Sequence, residues 1–221
     1  MTTARGSNIL KIGFNLASRA AVWWFILSGS VQATETADVY LSGYGVGGFF
    51  EDQKVNVVSR DAVATNIRSG AGVGLKVGIF PEFTGRVIGI EIEYFGTFQR
   101  LSFVFPVNGV VAQGSTGLAV MNSLANLVVR WPYGRLRPYA GVGIGYSSAI
   151  LIDPTILGRN TGDWDSTAAF SYQFIAGVQG NISERMFLFA EYKRLAADFH
   201  WNGFGFDLRA NYAAVGIGYN F

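Results

Sequence analysis

Glu91 and Glu93 stand two residues apart in "RVIGIEIEYFGTF", a spacing that puts both carboxylates on one face of an extended strand. Such a pair suits general acid–base chemistry. The competing arrangement is structural, because buried charges need partners or they neutralise. A hairpin centred on Phe83 sets Lys76 roughly opposite Glu91, and Glu191 with Lys193 forms a second mixed pair, so ion pairing is the expected role. The single histidine, His200 in "AADFHWNGFGF", follows Asp198 by two residues, and any Ser-His-acid hydrolase would have to use it. "GYGVGG" (43–48) matches the dinucleotide fingerprint G-x-G-x-x-G. That fingerprint works where a strand opens into a helix N-terminus. Here the glycines continue an alternation and "FFEDQK" follows, so no dinucleotide site is expected. "VGLK" (73–76) lacks the glycine spacing and the Ser/Thr of a P-loop, and "NIS" (181–183) fits a glycosylation sequon by chance. No His/Asp/Glu group has metal-ligand spacing and the chain has no cysteine, so neither a metal nor a cofactor is expected.

The elements that position these residues follow from composition and periodicity. Residues 1–33 carry Arg5, Lys11 and Arg19 without an acid, then the short apolar run "AAVWWFILSG", then Val31 and Ala33 at −3 and −1 of a cleavage site. This order is that of a secretory signal peptide. Cleavage is expected after Ala33, leaving one domain over 34–221. Fourteen bases and 15 acids lie beyond residue 33, a net charge of −1, and no polybasic run survives, so nucleic acid is not an expected partner. The chain is 50% hydrophobic and 15% aromatic with 29 glycines, yet no stretch beyond residue 33 offers the 18 or so apolar residues of a spanning helix.

Eight stretches alternate with period two, roughly 38–50, 66–80, 86–99, 117–130, 137–151, 168–181, 186–195 and 207–221. In "NIRSGAGVGLKVGIF", Ile67, Ala71, Val73, Leu75, Val77 and Ile79 oppose Arg68, Gly70, Gly72, Gly74, Lys76 and Gly78. A soluble sandwich would turn a charged face to water. Here the non-apolar faces are mostly glycine with a few charges and amides, which suits the crowded interior of a narrow barrel. A base facing lipid at the midplane would cost about 2–4 kcal/mol, so Arg68 and Lys76 must point inward. The expected fold is all-β: an eight-stranded antiparallel up-and-down transmembrane β-barrel. Its inward polar network holds Arg68, Lys76, Glu91, Glu93, Arg130, Glu191 and Lys193, with Asn122, Asn126, Tyr139, Gln173, Gln179 and Tyr212 beside them. Such a filling leaves no wide channel.

Connections alternate in length. "PEFTG" (81–85), "WPYGRL" (131–136) and "ISER" (182–185) are tight turns, whereas 51–65, 100–116, 152–167 and 196–206 are longer. Outer-membrane barrels have short periplasmic turns and long external loops. Phe80, Phe83, Trp131, Tyr133, Tyr219 and Phe221 are expected to form a girdle at the short-turn end. Tyr94, Phe98, Tyr146, Phe170, Tyr172 and Tyr192 would form the other.

"NLVVRWPYGRLRPYAGVGIGYSS", with "LFAEYKR" (188–194) and the terminal "VGIGYNF", resembles the small outer-membrane β-barrel family that includes OmpA-like and opacity-type surface proteins. The resemblance implies a cell outer-membrane location and a C-terminal aromatic, here Phe221 with Tyr219, read by the outer-membrane assembly machinery. It supports a non-enzymatic, porin-like or surface-exposed scaffold whose partners are the lipid bilayer, lipopolysaccharide, and a host or surface ligand at the loops. The alternative is a lipid A-modifying acyl hydrolase or transferase using His200. Deacylase barrels carry a serine beside the histidine, whereas Trp201 and Asn202 follow His200 here. Phe199, Trp201, Phe204 and Phe206 are therefore expected at the membrane interface, where amphipathic rings settle, with a partner-binding loop contact through Phe199, His200 and Trp201 as the next reading.

Overall fold

Alternation carries the chain into ten strands in the computed structural model, which describes residues 37–50, 53–57, 60–67, 69–107, 110–152, 165–201 and 204–221. They are β1 (Ala37–Phe50), β2 (Gln53–Val57), β3 (Arg60–Ile67), β4 (Gly70–Pro81), β5 (Ile88–Val107), β6 (Val110–Arg130), β7 (Leu136–Ile152), β8 (Asp165–Asn181), β9 (Met186–Trp201) and β10 (Phe204–Asn220). The ten form eight staves. β2 follows β1 along β10, and β3 precedes β4 along β5. Each junction slips the register by one residue: Phe50 to Asn56 spans six steps against five from Ala210 to Gly205, and Ile67 to Ala71 spans four against three from Leu101 to Phe98.

The staves pair antiparallel in sequence order and β1 pairs with β10, which closes the sheet and leaves no edge. Following paired residues from Tyr40 through Gly78, Glu91, Asn126, Gly143, Gln173, Leu195 and Ala210 returns to β1 at Phe50, ten residues along. With strands about 4.8 Å apart and a rise of about 3.3 Å, that stagger tilts them by about 40°. The barrel is the expected architecture.

The short turns fall where punctuation predicts them. After Pro81 a single 3-10 turn, Glu82–Thr84, ends at Gly85, whose φ of +64° is a conformation glycine adopts without strain. This turn centres the hairpin near Thr84 rather than Phe83, so Lys76 faces Glu93 and Gly78 faces Glu91. At the opposite end the strands run further than their periodicity predicts. The expected connections 100–116 and 196–206 are largely strand, since β5 and β6 pair out to Val107 and Val110, and β9 and β10 out to Trp201 and Phe204.

The outward face is apolar from the short turns upward. Among the described residues, Arg100, Arg194 and Arg209 are the first outward-facing charges met on β5, β9 and β10. Phe83, Trp131, Tyr133, Tyr219 and Phe221 are exposed at the short-turn end, and Tyr94, Phe98, Tyr146, Phe170, Tyr172 and Tyr192 further up. Phe80 does not join the lower girdle. It shares the face of Lys76 and Gly78, is buried, and packs under Arg130.

Candidate functional site

Seven staves send side chains to one network in the lumen. Tyr40 and Tyr44 come from β1, Lys76 from β4, Glu91 and Glu93 from β5, and Asn126 from β6; Tyr139 comes from β7, Gln173 from β8, and Glu191 and Lys193 from β9. Glycines make the room. A Cβ on Gly74 would lie 2.3 Å from the Tyr44 ring, and one on Gly78 would lie 2.4 Å from the Tyr40 ring, so both rings can lie flat on the opposite strand only where it carries no side chain.

Lys76 reaches across the lumen to Glu191 at 2.6 Å and lies 3.6 Å from Glu91 and 3.8 Å from Glu93. Lys193 pairs with Glu93 and, at 2.7 Å, with Glu191. Two ammonium groups thus face three carboxylates. Neutral donors offset the excess: the Tyr40 hydroxyl donates to Glu91, the Tyr44 hydroxyl to Glu93, and the Tyr139 hydroxyl to Glu191 at 2.8 Å. The Asn126 amide donates to Glu91 at 2.9 Å, and that of Gln173 to Glu93 at 2.7 Å and to Asn126 at 2.8 Å. The ammonium groups also sit near ring faces, Lys76 4.9 Å from Phe189 and Lys193 5.0 Å from Tyr44.

A second cluster closes the short-turn end. Arg130 donates to Asp38 at 2.5 Å and lies 3.8 Å from the Phe80 centroid, and Arg86 approaches Asp38 at 3.4 Å. Between the clusters is a cavity of about 20 Å³ lined by Tyr40, Lys76, Glu91, Arg130, Tyr139 and Gln179, room for one or two water molecules. Above the network the buried lumen side chains are uncharged, apolar residues standing beside Thr97, Gln99, Asn122, Ser147 and Ser171. Val46, Leu118, Val120, Leu195, Phe199 and Leu208 are buried there.

Of the residues expected inward, Lys76, Glu91, Glu93, Arg130, Glu191 and Lys193 all face the lumen and are buried. Arg68 lies outside the described residues. Tyr40, Tyr44 and Asp38 complete the network and escaped the sequence reading. Their signal was available, since "DVYLSGY" sets Asp38, Tyr40 and Tyr44 on one face, opposite the glycines of 70–78. Phe199 is corrected: it is fully buried, because β9 and β10 continue pairing past residue 196 and the alternation turns it inward, away from the interface. His200 and Trp201 belong to β9, paired with Gly205 and Phe204, and not to an open loop; their side chains and those of Phe204 and Phe206 lie outside the described residues. Tyr219 and Phe221 face outward with ring centroids 5.3 Å apart, and the Phe221 amide donates to the Val39 carbonyl at 2.9 Å.

The sequence pattern that defines the family described as "Outer membrane protein beta-barrel domain" matches residues 24–221. No curated protein matches the sequence. Among solved structures, the fold is similar to Neisserial surface protein A, with a TM-score of 0.52 and 13% identity over 84% of this chain and 99% of the other. It is similar as well to the outer membrane protein OprG from Pseudomonas aeruginosa, with a TM-score of 0.58 and 12% identity over 84% of this chain and 96% of the other.

Proposed function

The chain belongs to the outer membrane protein β-barrel domain family, and from that premise we propose that it is a non-enzymatic, non-conducting scaffold of the cell outer membrane. In this reading residues 1–33 direct export and 34–221 form the barrel. The short turns face the periplasm, and the four hairpin tips face outward, where they meet lipopolysaccharide or a host or surface ligand. Tyr219 and Phe221 serve the assembly machinery. One observation carries the reading: among the described residues the lumen is filled by the Asp38–Arg130 cluster, the Lys76–Glu93–Glu191–Lys193 network and the uncharged layer above it. A barrel so filled lends its rigidity to whatever its tips present.

Single-channel recording of the purified chain in planar bilayers tests this. The expected record has no steady open level, and a large, stable conductance overturns the non-conducting reading. Incubation with lipopolysaccharide tests the enzyme alternative. Acyl chains should come through unchanged, and their loss or transfer, abolished by His200→Ala, would establish it.

A further inference from the structure

An apolar groove runs along the outward face over β8, β9, β10 and β1, lined by Gly43, Gly45, Val178, Leu188, Val215 and Ile217. Packing does not require glycine in its floor, since a Cβ on Gly45 would meet nothing within 4 Å. Straight up β9 from the groove, on the same face, come Ala190, Tyr192 and then Arg194, which is exposed. Arg194 pairs in register with Asn211 on β10, and Arg209 follows two residues on, half-exposed. Both arginines are thus set side by side at the top of an uncharged surface.

Interface tyrosines bond to Arg209 and to Asn211, the in-register neighbour of Arg194. Arg209 donates to the Tyr172 hydroxyl at 2.9 Å, and the Tyr192 hydroxyl donates to Asn211 at 2.7 Å. Arg209 also approaches Asp198 at 3.5 Å, an exposed and therefore weak pair. Asp198 faces Asp207 in register on the hairpin side of the arginines, so an anion would approach from the membrane side. Leu188 lies six residues below Arg194, about 20 Å along the strand and about 15 Å along the membrane normal, the depth of one leaflet.

We infer that Arg194 and Arg209 bind the phosphate of an outer-leaflet glycolipid whose acyl chain lies in the groove below. Guanidinium matches phosphate through paired, charge-assisted hydrogen bonds, and the groove supplies the apolar complement at the distance an acyl chain spans. The inference rests on the orientation proposed above, with the hairpins outside.

The test uses the full purified chain in phosphatidylcholine nanodiscs containing bis-phosphorylated lipid A or dephosphorylated lipid A, with and without inorganic phosphate, and counts retained glycolipid by native mass spectrometry. Phosphorylated lipid A should be retained, and R194Q/R209Q should lower that retention at least about tenfold. Gly45→Leu, whose Cβ has open space around it and whose side chain would project into the groove, should lower it as well. Dephosphorylated lipid A should bind no better than phosphorylated lipid A binds to the double variant. Undiminished retention by the double variant or by Gly45→Leu overturns the site, as does equal retention of dephosphorylated lipid. Full displacement by inorganic phosphate overturns the lipid assignment in favour of a plain anion site. A heat-dependent gel shift confirms that each variant is folded. An epitope placed at 108–109 and labelled on intact cells tests the orientation separately. Labelling only after the outer membrane is opened overturns the orientation, and with it the outer leaflet as the source, while the nanodisc result still reports on the site.

Discussion

Toward the short turns the lumen holds the charged Asp38, Lys76, Glu91, Glu93, Arg130, Glu191 and Lys193; toward the hairpins it holds Val46, Leu118, Val120, Leu195, Phe199 and Leu208 with the neutral Thr97, Gln99, Asn122, Ser147 and Ser171. The lower half is wrapped by an uncharged outward face, so its polar groups satisfy one another across the lumen. The upper half runs past the aromatic girdle to the level of Arg194, Asp198 and Arg209, where the charges stand on the exterior and the interior holds apolar side chains with the neutral Thr97, Gln99, Asn122, Ser147 and Ser171. The change of solvent along one continuous sheet sets which side of the wall carries the charges. The two halves therefore fail differently when a side chain is removed.

The largest effect is expected in the polar half. Lys193→Met leaves Glu93 and Glu191 facing each other with one ammonium group between them, and breaking a buried pair this way costs about 3–5 kcal/mol. The midpoint of the unfolding transition in detergent should fall accordingly. An unchanged midpoint would show that the tyrosines and amides hold the carboxylates without the lysine.

In the uncharged half, Leu195→Ala removes a fully buried side chain and should cost about 2–5 kcal/mol, set by the cavity it leaves. Raising the salt concentration should leave the size of this loss unchanged. A strongly salt-dependent loss would place charges in the upper half and erase the distinction between the two.

The smallest effect on stability belongs to the rim. Deleting Phe221 removes a half-exposed ring packed against Tyr219 and the backbone hydrogen bond to Val39, so the unfolding free energy should fall by only about 0.5–1.5 kcal/mol. The amount of folded barrel in the outer membrane should nevertheless drop. Normal levels would remove the assembly role, and a large midpoint shift would show that the last residue is structural.

The sequence by itself determined the eight staves, the short turns and the inward face of each stave up to the girdle. All of these follow from local alternation and from turn residues such as Pro81 and Gly85. Alternation also placed Lys76, Glu91, Glu93, Arg130, Glu191 and Lys193 in the lumen, because a charge there avoids lipid. Only the tertiary structure decided which charge meets which. Lys76 and Glu191 are 115 residues apart, and they meet because the sheet closes with a ten-residue stagger that no single strand encodes. It also decided the hairpin end. One-residue slips between β1 and β2 and between β3 and β4 interrupt the parity that local reading extends. Continued pairing of β9 with β10 carries Phe199 into the lumen, since a strand persists wherever its neighbour still offers partners for its backbone.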